Sequence, residues 1–242
     1  MKLISLIVVA LTLLATYAHA GVELSDEEME IFRKAAKAKM IRVPIDGLML
    51  VQEESEGELL LISTNGHYVI ESPKIIDIWR KQEITSASEL VESTKVDLSN
   101  FKIPPEDLNT IKVGKGGKAV DIFVDPLCEF CNKTLNDLHK YEKDYTFTIY
   151  ITPLLGEKSV NIARSMACMT DDAMKFGILK SRKWEELPKE KPKDCDESSY
   201  QKTFVTARVI GVKAVPFIIP PNKHPSTGYK KDLGKYLKNN EG

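Results

Sequence analysis

Two cysteines three residues apart, Cys128-Glu129-Phe130-Cys131, stand between an apolar strand pattern, Ala119 to Val124, and a helical pattern running from Cys131 to Glu142. That placement constrains the fold more than the four residues do, because the pair must sit where a strand hands over to the first turn of a helix. Such a turn leaves unpaired backbone N–H groups and the positive end of the helix dipole beside the first sulfur. Both favour thiolate over thiol, and the thiolate is the form that attacks disulfides. Cys131 follows one turn later on the same face, so the pair can close a disulfide and reopen it. The site reads as redox chemistry. A structural zinc site would need a second close ligand pair. Cys168 and Cys195 are far from the first pair and from each other, and His67, His139 and His224 show no metal spacing. No metal and no cofactor is expected.

The chain around this site alternates. Tyr145 to Thr152 reads as a strand, and Ser159 to Met169 as a helix with Ile162, Ala163, Met166 and Ala167 on its apolar stripe. A charged, irregular stretch from Lys180 to Ser198 follows, then a helix marked by Tyr200, Phe204 and Ala207 and ended at Gly211. Pro216 to Pro220 is an apolar strand, and Tyr229, Leu233, Tyr236 and Leu237 mark a closing helix. Residues 118–242 therefore form an α/β module, and all four cysteines of the chain lie in it.

The part before it is built differently. Lys2, the apolar run Leu3 to Leu14 and Ala18-His19-Ala20 have the pattern of a signal peptide, residues 1–20, cleaved after Ala20. The run is short of the roughly 20 apolar residues of a membrane span. The mature protein is expected to be exported and soluble, in a periplasm-like space where disulfides persist. Residues 21–82 begin with a helix, capped by Ser25 with Glu28, carrying Met29, Phe32, Ala36 and Met40, and stopped at Val43-Pro44. Strands follow at Leu48–Gln52, Glu58–Ser63 and His67–Glu71, the last two joined through Asn65-Gly66, and Ile76 to Trp79 adds another. So small a sheet exposes an edge and has a thin core, which favours dimerisation; a self-sufficient small domain is the alternative. Residues 83–117 read as a linker, helical from Ser86 to Ser93, with a turn at Pro104-Pro105 and a flexible joint or turn at Gly114-Lys115-Gly116-Gly117. No Ser or Thr follows Lys115, so this is not a phosphate loop. With 34 Lys and Arg against 35 Asp and Glu, the chain has no electrostatic case for nucleic acid.

Three marks together resemble a thioredoxin-like redox protein: the cysteine pair at a strand–helix junction, Val215-Pro216 before a late apolar strand, and an exported chain with an N-terminal module. More closely, the chain resembles the bacterial periplasmic disulfide isomerases of the DsbC/DsbG type. Phe123-Val124-Asp125-Pro126-Leu127-Cys128-Glu129-Phe130-Cys131 carries most of that resemblance, with Gly47, Asn65-Gly66-His67-Tyr68-Val69-Ile70 and Gly228-Tyr229 in support. It implies a small cystatin-like N-terminal dimerisation domain, a helical linker and a C-terminal thioredoxin-like domain with a helical insertion, in a V-shaped homodimer. It also implies a cis proline at Pro216 beside the sulfurs, a structural disulfide between Cys168 and Cys195, and a membrane reductant of the DsbD type as electron donor. The chain departs from the pattern at two places. Glu129-Phe130 stands where isomerases often carry Gly-Tyr or Pro-Tyr, and Val215 where they usually have threonine. Glu129 is expected to work against the Cys128 thiolate and give a less oxidising disulfide.

The activity expected is isomerisation or reduction of non-native disulfides in misfolded exported proteins. Cys128 attacks and Cys131 resolves, Phe130, Val215 and the Pro216 backbone meet the substrate, and Asp125 is a candidate for moving a proton or for bonding its own loop. Two alternatives stand beside it: a holdase-like chaperone with secondary redox activity, and a dedicated oxidase for a secretion or conjugation apparatus.

Overall fold

The computed structural model describes residues 39–42, 47–52, 59–78, 80–101, 104–188, 195 and 197–241. The expected signal peptide, the helix from Ser25, the turn at 54–57 and Trp79 lie outside them. The chain divides after Thr94 into two compact units.

In the first unit, β1 (Lys39–Arg42), β2 (Leu48–Gln52), β3 (Leu59–Ser63) and β4 (Val69–Glu71) pair in that order as an antiparallel meander. Met40, expected on a helix, is instead in β1 opposite Val51, because a ladder to the apolar strand β2 satisfies its backbone. The β3–β4 turn follows from Asn65-Gly66. Gly66 has φ of 72°, and the Asn65 carboxamide oxygen accepts from the Ser63 hydroxyl and the His67 N–H at 2.6 and 3.1 Å. A hairpin of β5 (Ile75–Asp77) and β6 (Gln82–Ile84) leads into α1 (Ala87–Ser93). Ser86 caps α1 by accepting from the Glu89 N–H, while Glu89 reaches back to the Thr85 N–H at 2.7 Å. Ile84, Ala87 and Leu90 pack with Leu50, Leu59 and Leu61. The start of the expected linker therefore belongs to the core of this unit, since its few apolar side chains complete that core.

The second unit runs through β7 (Thr110–Val113), β8 (Lys118–Val124), α2 (Glu129–Asp137), β9 (Tyr145–Ile151), α3 (Glu157–Ala167), α4 (Asp172–Ser181), α5 (Ser198–Val209), β10 (Phe217–Ile219), β11 (Ser226–Thr227) and α6 (Leu233–Lys238). Its sheet has the order β11-β10-β8-β9-β7. The central pair β8 and β9 is parallel, with α2 in the crossover, and the other pairs are antiparallel. Alternation along the strands makes two cores. Val120, Ile122, Val124, Phe147, Ile149 and Ile218 face the side of the cysteine pair. Phe123, Tyr150, Phe217 and Ile219 face the other, with the Phe123 and Tyr150 rings stacked at 4.5 Å.

Two sequence expectations change here. Thr110–Val113, placed in the linker, is the edge strand β7, paired with β9 from Thr110↔Tyr150 to Val113↔Phe147. The glycine joint is a packed turn, in which the Lys115 and Gly116 N–H groups donate to Glu142 and Tyr145 carbonyls. A β-carbon at Gly116 would overlap the Asp144 carbonyl, so closeness of backbone explains the glycine better than flexibility does. Helix α4 has no counterpart in the sequence reading. Its buried face includes Lys175 while Met174 is exposed, which breaks the apolar period.

Candidate active site

Strand β8 ends at Val124, and the chain turns through Asp125-Pro126-Leu127 into α2. The turn is tied at each step: the Leu127 N–H donates to Asp125 Oδ1 at 2.7 Å, and the Cys128 N–H donates to the Asp125 carbonyl at 3.1 Å. Cys128 is the N-cap of α2, and its sulfur accepts from the Cys131 N–H at 3.2 Å. Capping normally falls to Ser, Thr, Asp or Asn; here a sulfur receives one of the N–H groups that the helix leaves unpaired.

The two sulfurs are free thiols in different surroundings. Cys128 keeps 9% of its surface in solvent and Cys131 keeps 1%. Burial pushes the Cys131 thiol far above its ordinary range, and the Cys128 sulfur beside it adds to the shift. The Val215–Pro216 peptide is cis, and the Val215 carbonyl accepts from the Cys128 thiol at 3.6 Å across 87 residues of sequence. The structure thus brings Cys128, Cys131, Val215 and Pro216 together. The geometry is that of a dithiol pair at a helix N-terminus, beside a cis X–Pro peptide.

Phe130, at 56% exposure, presents its ring at the surface beside the cysteines, with the Lys133 ammonium 5.2 Å from the ring centre. Glu129 is exposed in the first turn of the helix. Asp125 is buried and spends both carboxylate oxygens on its neighbourhood. Besides Leu127, it accepts from the Leu154 N–H at 2.6 Å, the Leu155 N–H at 2.8 Å and the Ser159 hydroxyl at 2.6 Å. It thereby fastens the loop between β9 and α3 to the turn before Cys128. Cys168 and Cys195 form a disulfide with Cα atoms 5.3 Å apart, linking the end of α3 to the segment before α5.

Ser159, Asn132 and Arg182 are near-site residues that the sequence did not single out. Asn132 Nδ2 donates to the Lys180 carbonyl at 2.7 Å, and Arg182 Nη2 donates to the Leu127 carbonyl at 3.2 Å. Nothing local marks them, because each partner lies dozens of residues away along the chain. Among the described residues no three His, Cys, Asp or Glu side chains group as metal ligands, and no helix is long and apolar enough to cross a membrane.

No family model and no curated protein matches the sequence. Solved structures are similar to it at low identity. A disulfide interchange protein from Neisseria gonorrhoeae is 21% identical, with a TM-score of 0.49 over 57% of this chain and 99% of that one. The thiol-disulfide exchange protein alpha-DsbA2 from Wolbachia pipientis is 18% identical, with a TM-score of 0.47 over 64% of this chain and 98% of that one. Helicobacter pylori DsbG is 17% identical, with a TM-score of 0.37 over 80% of this chain and 99% of that one.

Proposed function

We propose that this protein is an exported thiol–disulfide oxidoreductase that isomerises or reduces non-native disulfides in other exported proteins. The observation that carries the reading is the asymmetry of the dithiol. Cys128 caps a helix N-terminus at the edge of solvent, and Cys131 lies buried behind it with its proton held.

Chemistry follows from that asymmetry. The Cys128 thiolate attacks one sulfur of a substrate disulfide; the new bond joins Cys128 to that sulfur, and the other substrate sulfur leaves as a thiolate and takes up a proton. A different substrate thiolate can then displace Cys128, so that the disulfide is moved without net oxidation. Alternatively Cys131 gives up its proton and attacks the Cys128 sulfur. The substrate is released with both sulfurs reduced, and the protein keeps the disulfide. The second route requires a reductant to reset the pair, and a membrane protein of the DsbD type has the right chemistry. Phe130 and Val215 flank the attacking sulfur and offer apolar contact to an unfolded segment.

The remaining parts of the proposal concern assembly. Within the described residues, β1 and β4 are the outer strands of the first sheet, and Tyr68 and Ile70 on the β4 side are exposed. Pairing of two such edges is the route to a homodimer. Sedimentation of the purified protein measures it directly.

The test of function is turnover of a scrambled-disulfide substrate and of insulin by the wild type, Cys128→Ser and Cys131→Ser. Loss of both activities in the first variant and accumulation of a mixed disulfide in the second are expected. A wild type that performs neither reaction but oxidises reduced substrates would replace this reading with the oxidase one.

A further inference from the structure

The last turn of α4 is fastened to the cysteine-pair loop at two points, Asn132 to the Lys180 carbonyl and Arg182 to the Leu127 carbonyl. Arg182 is an uneconomical residue by the standards of local stability. It ends α4 in the left-handed region, with φ of 58° and ψ of 29°, a C-terminal position that glycine fills with less strain. Its Nε is buried with no hydrogen-bond partner among the described residues. What this arrangement supplies is a charged donor to the carbonyl immediately before the attacking cysteine.

Both polar groups of the Leu127–Cys128 peptide, and the Leu127 N–H before it, are then held. Asp125 takes the Leu127 N–H through its side chain and the Cys128 N–H through its carbonyl. The other polar group of the Leu127–Cys128 peptide, the Leu127 oxygen, is taken by Arg182. Charge-assisted hydrogen bonds of this kind are stronger and more directional than neutral ones. The guanidinium also offsets the negative end of a peptide dipole that sits next to the residue bearing the thiolate. We infer that Arg182 is a positioning residue of the dithiol site, acting through the Leu127–Cys128 peptide to hold the Cys128 sulfur between the Cys131 N–H and the Val215 carbonyl. This rests on the redox reading above.

The experiment uses the full-length protein and three variants. Arg182→Gly removes the side chain and relieves the backbone, Arg182→Met removes the donors and charge while keeping the stem, and Arg182→Lys keeps a charge and a donor. The equilibrium constant of the Cys128–Cys131 couple with glutathione is measured for each, with thermal unfolding of the oxidised form alongside. The reduced form should lose its support in Arg182→Gly and Arg182→Met. Their constants are expected to shift toward the disulfide by about three- to tenfold, the range of a typical net intramolecular hydrogen bond. Arg182→Lys is expected to recover part of the shift. Arg182→Gly is expected to unfold no earlier than wild type, which separates positioning from stability. If Arg182→Gly does unfold early, Arg182→Met decides, since it retains the arginine's backbone conformation. A wild-type constant in both variants overturns the inference. A wild-type couple that does not exchange with glutathione overturns the redox reading itself.

Discussion

Cys131 and Asp125 show how burial acts on single groups near the attacking sulfur. Burial holds the proton on Cys131, so reduction of the disulfide takes up at least one proton for two electrons even in alkali. The potential should therefore keep falling, by at least about 30 mV per pH unit, to at least pH ~10. An exposed dithiol would flatten once both thiols ionise, beginning near the ordinary thiol pKa of about 8.5. A plateau in the titrated potential would show that Cys131 is not shielded. Asp125→Ala tests a different property. It strands the Leu127, Leu154 and Leu155 N–H groups and the Ser159 hydroxyl, and the expected loss of stability is about 3 kcal/mol or more by denaturant unfolding. The cysteine pair and its place at a helix start were legible in sequence, because an N-cap and a CxxC are local patterns. The four donors around Asp125 were not, since three of them come from residues 29 to 34 positions away.

At the scale of elements, helix α4 holds a buried cation against β7. Lys175 donates to the Asn109 carboxamide oxygen at 3.2 Å and the Thr110 carbonyl at 2.8 Å, and Asn109 in turn donates to the Ala163 carbonyl at 2.8 Å. Burial pushes the Lys175 ammonium down to about 8, only partly offset by Asp172. The unfolded chain, with a lysine pKa of about 10.4, therefore binds more protons than the native state between pH ~8 and ~10. Stability contributed here rises with pH across that window. Cys131, Tyr145, Tyr150 and Tyr236 have raised values and act in the opposite direction as pH rises. The measurement is therefore best made on the oxidised protein, which removes the thiol, and below pH ~10, where tyrosines begin to ionise. Relative to Lys175→Met, oxidised wild type should gain about 2 kcal/mol from pH ~8 to ~10. Parallel curves would show that Lys175 titrates normally. Replacing Cys168 and Cys195 together by alanine should remove up to about 3.6 kcal/mol, the loop-closure value for this span, while leaving the Cys128–Cys131 potential unchanged. A shifted potential would assign that disulfide a part in the redox cycle.

For the whole molecule, the division at Thr94 puts the complete dithiol site and both cores of the five-stranded sheet on one side. A fragment of residues 95–242 is expected to unfold cooperatively and to keep the potential of the full chain. A fragment that is disordered would show that the first unit supports the fold of the second. By itself the sequence determined the place of the cysteine pair at a helix start, the α/β alternation around it and the Asn65-Gly66 hairpin, because each is written in residues within a turn or two of one another. It misplaced β7 and the start of the second unit, and it missed α4 altogether, because their identity depends on what packs against them. Only the tertiary structure decided that the Val215 carbonyl meets Cys128, that Asp125 anchors a second loop, and that Arg182 rather than any other basic residue reaches Leu127. Sequence offers many equivalent donors and acceptors, and which of them meet is settled by packing between elements far apart along the chain.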